Sequence, residues 1–465
     1  MTPTAAPTGA PRVTPTRPGR MIFEPEFETL PRDAMRALQG ERLRALVDYV
    51  GDRVPAYRER LRRSGVSAHD IASVDDITRL PITRKSDLRD HYPFGLLAVP
   101  REELRRVHAS SGTTGKPTVV AYTAGDVDLF ARVNARSLAM AGAAPGMMLH
   151  NAYGYGLFTG GLGIHYGGER LGLTVVPVSG GMTERQMTLI TDLRPEVITC
   201  TPSYALTLAA EFVKRGIAPE EISLRAAVLG AEPWTDGMRA QIDAALGVRS
   251  VNIYGLSEII GPGVSCECAE ARDGSHVMED HFYPEILDPE SGEPVAEGEE
   301  GVLVLTTLTK EALPLLRYWT GDITSLTRAP CPCGRTLARM HLIKGRTDDM
   351  LIIRGVNVYP SQIESVLARV PELAPHYRIV VRREGTLDGI SVHAEVSEGF
   401  FRDIGRGVLS AEVVEADHRL RALRERVDSL LRDVIGIGMS VQLLPPGEAP
   451  RSEGGKLNRV TDTRG

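Results

Sequence analysis

A loop rich in glycine and hydroxyl groups carries the strongest chemical signal in the sequence. Residues 110–118 read SSGTTGKPT and follow a strand-like segment at residues 107–109. Glycines let backbone amides approach phosphate oxygens, hydroxyl groups add donors, and Lys116 supplies a compensating positive charge. The loop is not a Walker A motif, because the Gly-x4-Gly-Lys-Ser/Thr spacing is absent and Pro117 would disrupt a helix beginning there. The pattern predicts a phosphate-binding loop, and a flexible polar turn is the alternative interpretation.

Two Cys-x-Cys pairs, at residues 266–268 and 331–333, and a histidine between them offer ligands for a metal ion. Such a group is typical of a tetrahedral structural zinc site that ties two strands together. The ligands that we predict are Cys268, His276, Cys331 and Cys333, which leaves Cys266 outside the site. Unbound thiols are the alternative, because the spacing differs from that of a standard zinc finger.

Composition limits the classes of partner. The 465 residues include 54 lysines plus arginines and 60 acidic residues, and this net charge of −6 gives no basic field for nucleic acid or an anionic membrane. Only six residues are lysine. Five cysteines do not form an even disulfide framework, which favours a reducing, cytoplasmic location. We therefore expect neither a nucleic-acid partner nor a membrane partner.

The elements that must position these groups follow from the pattern of apolar residues. Strand-like runs alternate with helical stretches between residues 107 and 252, which predicts an α/β fold with a largely parallel sheet. Apolar spacing predicts one or two helices over residues 33–61. Residues 281–327 predict antiparallel strands or a β-rich, barrel-like part.

Three regions are predicted along the chain. Residues 1–20 are rich in proline and threonine, and they are typical of a disordered tail rather than a signal peptide. Residues 21–346 are predicted to form a large N-terminal domain. Residues 347–465 are predicted to form a small α+β C-terminal domain with one long helix over residues 411–434.

Further motifs follow one another in a family-specific order. They are AYGYGLFTGGLGIHYGGERLG (152–172), GAEPW (230–234), IYGLSE (253–258), LTKEALPLLRYWTGD (308–322), GRTDDMLIIRGVNVYPSQIE (345–364) and PRSEGGKLNRV (450–460). With the loop at 110–118, they resemble the phenylacetate-CoA ligases of the adenylate-forming acyl- and aryl-CoA synthetase superfamily. The resemblance implies that ATP converts an aryl acid to an acyl-adenylate, which then passes its acyl group to coenzyme A. It also implies a mobile C-terminal domain with a hinge near residues 345–350, and it allows a homodimer.

The resemblance implies three catalytic residues, Lys456, Glu258 and Lys116. Glu258 would be a ligand of Mg²⁺, which favours carboxylate and phosphate oxygens. Lys456 would contact the reacting carboxylate and the α-phosphate during adenylation only, delivered by movement of the C-terminal domain. Two glycines precede Lys456 where the family pattern has one.

The implied contacts to ATP and coenzyme A extend over several loops. Residues 230–232 would lie along the adenine, Tyr254 would stack on it, and Asp322 would accept both ribose hydroxyls. Arg346 would meet the ribose or a phosphate, and Gly355 would line a tunnel for the pantetheine thiol. The full set is Ser111, Gly112, Thr113, Thr114, Gly115, Lys116, Ala231, Glu232, Asn252, Tyr254, Asp322, Arg346 and Gly355.

An aryl-binding slot is implied by matching apolar positions, for which ordinary core packing is the alternative. The residues are Tyr153, Phe158, Gly230, Ala231, Ile253 and Pro262. Few polar groups occur among them, which suits a benzene ring. Trp319 and Gly321 depart from the family pattern, which has arginines there, although Gly321 keeps the TGD sequence of the wider superfamily.

The resemblance therefore implies an aryl-acid–CoA ligase that acts on phenylacetate or a ring-hydroxylated relative. One alternative is adenylation of a hydroxy- or amino-substituted aryl acid for natural-product biosynthesis, with transfer to coenzyme A or to a carrier-protein thiol. A second alternative is a degenerate nucleotide-binding regulator. Four intact residues argue against the regulator, because a binding module needs no mobile lysine: Lys116, Glu258, Asp322 and Lys456.

Overall fold

A computed structural model describes residues 21–110, 117–347, 351–353, 356–384, 387–405, 408–451 and 459–463. The predicted tail, residues 1–20, lies outside this range. So do several predicted site residues: Ser111, Gly112, Thr113, Thr114, Gly115, Lys116, Gly355 and Lys456. Among the described residues, no helix is both long and apolar enough to span a bilayer.

Four helices open the chain: α1 (Pro25–Glu28), α2 (Arg32–Arg53), α3 (Pro55–Ser64) and α4 (Lys85–Asp90). Two of them, α2 and α3, account for the helical pattern over residues 33–61. The break falls between them because Pro55, the first residue of α3, has no N–H to continue the preceding helix. Helix α2 buries Met35, Leu43 and Val50 against the large core.

A short antiparallel pair flanks the predicted phosphate-binding loop. Strands β1 (Arg106–Ser110) and β2 (Thr118–Tyr122) pair so that Ser110 lies opposite Thr118. The two ends of the loop are therefore held side by side.

The middle of the chain alternates between strands and helices. The helices are α5 (Ala124–Met140), α6 (Gly160–Leu171), α7 (Thr183–Leu193), α8 (Pro202–Lys214) and α9 (Asp236–Leu246). The strands are β3 (Met148–Asn151), β4 (Thr174–Val176), β5 (Val197–Cys200), β6 (Ala226–Gly230), β7 (Arg249–Leu256), β8 (Gly261–Glu267), β9 (Ser275–Val277), β10 (Phe282–Leu287), β11 (Gly301–Thr307), β12 (Tyr318–Thr324), β13 (Leu326–Thr327), β14 (Arg339–Met340) and β15 (Gly345–Arg346).

A nine-stranded sheet has the order β13-β14-β9-β8-β7-β6-β5-β3-β4. Strands β3 to β7 within it pair in parallel, as predicted, and the remaining pairs are antiparallel. Alternate residues face opposite sides of the sheet. Val197 and Val228 belong to the core with α5 and α6, whereas Ile198 and Leu229 belong to the core with α8 and α9. Burial on both faces explains the continuous apolar runs of these strands.

A second sheet, of order β10-β11-β12-β15, is antiparallel throughout. It occupies the region for which the sequence predicts antiparallel strands. Strand β15 brings Arg346 opposite Asp322 of β12. This pairing places the predicted hinge region directly beside a predicted ribose-binding residue.

The C-terminal region has its own elements: β16 (Leu351–Ile353), β17 (Val356–Val358), α10 (Pro360–Leu367), β18 (Leu373–Glu384), β19 (Leu387–Val396), α11 (Glu398–Ile404), α12 (Ala411–Ala416), α13 (His418–Ile435), β20 (Ser440–Leu444) and β21 (Val460–Asp462). The order of its main sheet is β20-β19-β18-β21. The prediction of one long helix over residues 411–434 is wrong. Asp417 interrupts it, because its side chain accepts hydrogen bonds from the Arg419 and Leu420 amides and caps α13.

Buried apolar side chains form separate cores. One large cluster runs from Phe23 to Met340, and another runs from Leu351 to Leu443. Chain order and core packing therefore agree on a separate C-terminal domain. The domain limit between residues 346 and 347 stays a prediction.

Candidate active site

The carboxyl ends of the parallel strands lie side by side, and ligands of open α/β sheets bind outside such ends. Tyr153 follows β3, Gly230 ends β6, and Tyr254 lies near the end of β7. Gly230 pairs with Ile253, and a Cβ on Gly230 would lie 2.1 Å from the Ile253 carbonyl oxygen. Ala231 follows with a φ of 72°, a left-handed conformation that is rare for a residue with a side chain. Tight strand packing therefore shapes the segment predicted to lie along adenine.

A carboxylate links β7 to the second sheet. The Asp322 side chain is buried, and its Oδ2 accepts a hydrogen bond from the Tyr254 hydroxyl at 2.5 Å. Its Oδ1 accepts from Arg346 Nη1 at 2.6 Å, and Arg346 Nη2 donates to the Thr320 carbonyl oxygen at 3.1 Å. Burial, with Asp322 nearby, raises the pKa of Tyr254 well above its ordinary value. The tyrosine therefore remains a donor at neutral pH.

Glu258 lies in the hairpin loop between β7 and β8, and it is buried. Its carboxylate is close to Tyr318 of β12. Burial of Tyr318 raises the pKa of its phenol well above the ordinary value, and the nearby charge of Glu258 raises it further. A buried carboxylate has the oxygen donors that Mg²⁺ prefers. Glu258 thus fits one ligand position of a magnesium ion.

The GAEPW segment is held in place through Glu232 and Trp234. The Ser203 amide, in the first turn of α8, donates to the Glu232 carboxylate at 2.6 Å. Trp234 Nε1 donates to Asn252 Oδ1 at 3.0 Å, and the Arg239 guanidinium lies 4.5 Å from the Trp234 ring centre. Burial raises the pKa of Glu232, whereas the Ser203 bonds and the charge of Arg459 act in the opposite sense.

The residues predicted for the aryl slot differ in their exposure. Tyr153 and Ile253 are buried, and Pro262 is half-buried. Phe158 is 55% exposed, in a loop whose Leu157 carbonyl oxygen accepts a hydrogen bond from the Ala109 amide at 3.0 Å. That bond joins the loop to the strand before the phosphate loop. The slot assignments of all these residues stay predictions.

The C-terminal domain contacts this region from the outside. Arg459 forms an ion pair with Glu364 of α10 and lies 4.7 Å from the Tyr377 ring centre. At the end of α10, a Cβ on Gly237 of α9 would lie 3.3 Å from the Ala368 carbonyl oxygen.

The four predicted zinc ligands converge at the other end of the sheet. Their ligand atoms all lie within 4.8 Å of one another, and all four residues are buried. Cys268 Sγ is 3.6 Å from Cys331 Sγ, and Cys333 Sγ is 3.3 Å from His276 Nε2. Two sulfurs at ~2.3 Å from a tetrahedral zinc ion lie roughly 3.8 Å apart, so the spacing fits this metal. Cys266 lies apart, with its Sγ 3.6 Å from the Ser137 carbonyl oxygen.

Sequence reasoning missed several residues that hold the site. Ser203 and Trp234 hold the GAEPW segment in place, and Tyr318 lies beside Glu258. Lys310 donates to the Glu258 carbonyl oxygen at 3.1 Å from a buried position. The scarcity of lysine is a usable signal for Lys310. Trp234 and Tyr318 lie within the GAEPW and LTKEALPLLRYWTGD motifs, whereas the backbone amide of Ser203 leaves no trace in residue type.

Family models and relatives agree on where the chain belongs. The AMP-binding enzyme model matches residues 75–308, and the AMP-binding enzyme C-terminal domain model matches residues 355–464. The chain is 68% identical over 444 residues to the phenylacetate-coenzyme A ligase of Thermus thermophilus, covering 96% of this chain and 100% of that protein. The chain belongs to the phenylacetate-CoA ligase family. A second member, from Escherichia coli, is 49% identical over 439 residues, with 94% of this chain and 97% of that protein covered.

Solved structures confirm the fold of this family. In the postadenylation state with 2-HIB-AMP, a 2-hydroxyisobutyryl-CoA ligase is 28% identical and superposes with a TM-score of 0.87 over 98% of this chain and 95% of that chain. The TM-score is 0.68 for the thioesterification state with CoA, at 30% identity over 95% and 92% of the chains. The overall arrangement of this chain therefore matches the postadenylation structure better. The predicted family, fold class and ligase class are all confirmed.

Proposed function

We propose that this chain joins an aryl acid, with phenylacetate as the first candidate, to coenzyme A at the expense of ATP. The observation that carries the proposal is the convergence of Tyr254, Asp322 and Arg346 beside the Gly230 segment. Such a cluster offers hydrogen bonds to a ribose and a surface for adenine. The family membership supplies the reaction class.

In the first half-reaction, a carboxylate oxygen of the acid would bond to the α-phosphorus of ATP, and pyrophosphate would leave. Two anions must approach each other, so positive charge is the main requirement. Glu258 would hold Mg²⁺, which when bound neutralises phosphate charge. Asp322 would orient the ribose, and Lys116 and Lys456, both outside the described residues, would supply charge at the reacting phosphate.

In the second half-reaction, the sulfur of coenzyme A would lose its proton and attack the acyl carbon, and AMP would leave with the former carboxylate oxygen. Coenzyme A is the favoured acceptor, because the relatives of high identity are named as coenzyme A ligases. Transfer to a carrier protein and amino- or hydroxy-substituted acids for natural products are not favoured. A homodimer stays a prediction.

The aryl acid follows from the pocket residues and from the relatives. Tyr153, Ile253 and Pro262 offer ring and aliphatic surface, and the predicted slot contains no lysine or arginine. A second charge on the acid would therefore be poorly matched. Without a dedicated polar partner in the pocket, one added ring hydroxyl changes the free energy that separates two competing acids by only ~1–3 kcal/mol. Ring-hydroxylated phenylacetates are therefore the acids that would compete most strongly with phenylacetate.

A panel of acids tests this proposal. Pyrophosphate release would be measured with phenylacetate, its hydroxylated forms, benzoate, cinnamate and 2-aminobenzoate, each with and without coenzyme A. We expect phenylacetate to give the highest kcat/KM and stoichiometric phenylacetyl-CoA. Absence of acid-dependent pyrophosphate release with every acid would refute the ligase proposal. Release without CoA thioester formation would instead support the carrier-protein alternative.

We also propose that Cys268, His276, Cys331 and Cys333 bind a structural zinc ion. Cys268 directly follows β8, His276 lies in β9, and the other two ligands lie between β13 and β14, so the ion would close the outer edge of the nine-stranded sheet. Four protein ligands complete the tetrahedral shell, which is typical of a structural rather than a catalytic site. None of the five cysteines, all within the described residues, forms a disulfide, which is in keeping with a cytoplasmic location.

Metal analysis of the purified protein would test the zinc site, with one equivalent expected. Cys333→Ser should lose the metal and lower the Tm by more than about 5 °C, because the metal binds only the folded state. Cys266→Ser is the matched control, since it removes a buried thiol that is not a ligand, and it should retain one equivalent. Less than about half an equivalent in the unmodified protein would count against the site.

A further inference from the structure

Lys310 is a buried cation that no proposed step uses. Only 2% of its surface is exposed, and its Nζ donates to the Glu258 carbonyl oxygen at 3.1 Å. The same Nζ lies 5.2 Å from the centre of the Tyr122 ring. Burial lowers the pKa of Lys310 to about 8, with Asp126 and Glu258 acting in the opposite sense. Burying an ammonium group costs free energy, so the fold retains this lysine against a penalty.

The backbone next to Lys310 is held rigidly. The fully buried Asp126 carboxylate accepts hydrogen bonds from the Glu311 amide at 2.7 Å and the Ala312 amide at 2.8 Å. Asp126 also accepts from the Thr123 amide at 3.0 Å at the start of α5. Two successive amides after Lys310 are thus tied to a helix terminus, so the backbone from which the Lys310 side chain extends is fixed.

The hairpin loop that carries Glu258 is held at a second point. The Tyr122 hydroxyl donates to the Ile260 carbonyl oxygen at 3.0 Å. Lys310 therefore fixes the carbonyl of Glu258, and Tyr122 fixes the carbonyl two residues later. The side chains of Ile259 and Ile260 are fully buried, which anchors the rest of the loop. The peptide between Glu258 and Ile259 is held on one side by the Ile259 amide, which donates to the Leu256 carbonyl oxygen at 3.1 Å, and on the other side by Lys310.

We propose that Lys310 is a positioning residue that fixes the Glu258 peptide, and with it the direction of the carboxylate that would hold Mg²⁺. This inference rests on the proposed function, through the role of Glu258. A neutral donor could make the same hydrogen bond, but the ammonium group also attracts the carboxylates of Asp126 and Glu258 across a medium of low dielectric constant. Residues behind a metal ligand commonly change metal affinity 10- to 100-fold when they are replaced.

Lys310→Met tests the proposal, because methionine fills a similar volume without a donor or charge. ATP binding would be followed by calorimetry at a series of Mg²⁺ concentrations, and adenylation would be followed by pyrophosphate release. We expect the half-saturating Mg²⁺ concentration to rise about 10-fold or more, as for other residues behind a metal ligand, while the KM for the aryl acid stays unchanged. Lys214→Met is the matched control, since Lys214 is an exposed lysine on α8, and it should bind as the unmodified protein does.

An unchanged Mg²⁺ requirement in folded Lys310→Met would overturn the proposal. If that variant does not fold, Lys310→Gln replaces it, because it removes the charge and shortens the side chain that reaches the Glu258 carbonyl oxygen, and we expect the Mg²⁺ requirement to rise about 10-fold here too. A normal requirement there would overturn the proposal equally. Glu258→Gln separates the two proposals: if it raises the Mg²⁺ requirement and Lys310→Met does not, only the positioning role fails. If the unmodified protein ligates no aryl acid, the proposed function fails, and calorimetry still tests Lys310.

Discussion

Replacing Asp322 with asparagine should weaken ATP binding by a calculable amount. In the free protein its two carboxylate oxygens already accept hydrogen bonds from Tyr254 and Arg346, at 2.5 and 2.6 Å. A ribose would add two hydroxyl donors, and a carboxylate has enough lone pairs for all four. Asparagine offers one acceptor oxygen, and its NH₂ group must then face a donor.

The loss of one hydrogen bond to a charged group costs about 1.5–3 kcal/mol, which corresponds to about a 10- to 150-fold higher KM for ATP, at 1.4 kcal/mol per tenfold change. The KM for the aryl acid should change little, because Tyr254 and Arg346, whose side chains hold Asp322, are not among the residues predicted for the aryl slot. Steady-state pyrophosphate release, with ATP and the acid varied separately, measures both constants.

The control is Asp128→Asn, which removes a carboxylate that pairs with Arg170 and is 54% exposed. An exposed pair contributes about 1 kcal/mol or less, and this one lies outside the predicted site, so both KM values should stay within about 3-fold of the unmodified protein. A folded Asp322→Asn protein whose KM for ATP is also within about 3-fold would refute the ribose-binding role.

Three further outcomes follow from the same structure. Gly230→Ala should lower stability by about 1–3 kcal/mol, as overpacking does, and slow adenylation, because the new Cβ would lie 2.1 Å from the Ile253 carbonyl oxygen. Gly399→Ala is the control, because a Cβ there would have no atom within 4 Å. Equal melting temperatures for the two variants would contradict the packing argument. Lys456→Ala should abolish adenylation yet leave thioester formation from supplied acyl-adenylate largely intact, because the lysine charge is needed only at the α-phosphate. Equal loss of activity in both half-reactions would refute a role for Lys456 in adenylation alone. Chelation of zinc should lower the Tm of the unmodified protein but not the Tm of Cys333→Ser. An identical Tm shift in both proteins would argue against the proposed zinc site.

Motifs that act through backbone shape or charge could be predicted from the sequence. Gly230, Tyr254 and Asp322 occupy short, specific patterns, and the structure brings them together. The grouping of Cys268, His276, Cys331 and Cys333 could also be predicted, because cysteine pairs are rare enough to stand out, and the structure brings their ligand atoms within 4.8 Å of one another. The alternating strands and helices of the central sheet carry long apolar runs, which explains why the fold class was readable.

Other features depend on contacts between distant segments. Helical periodicity continues through residues 411–434, so only the capping hydrogen bonds of Asp417 reveal the break. Ser203 contributes a backbone amide to Glu232, and an amide leaves no trace in residue type. Lys310 lies 52 residues from Glu258 in the chain, and only the folded chain brings the two together.

The central claim is that an aryl acid is activated as an adenylate before it reaches coenzyme A. A single-turnover experiment tests it most directly: enzyme in excess is mixed with phenylacetate and ATP·Mg²⁺ without coenzyme A, quenched, and analysed by mass spectrometry. The account predicts phenylacetyl-adenylate together with an equal amount of pyrophosphate, and conversion of that adenylate to phenylacetyl-CoA and AMP when coenzyme A is added. Thioester that forms without prior adenylate, or an adenylate that coenzyme A does not consume, would contradict it.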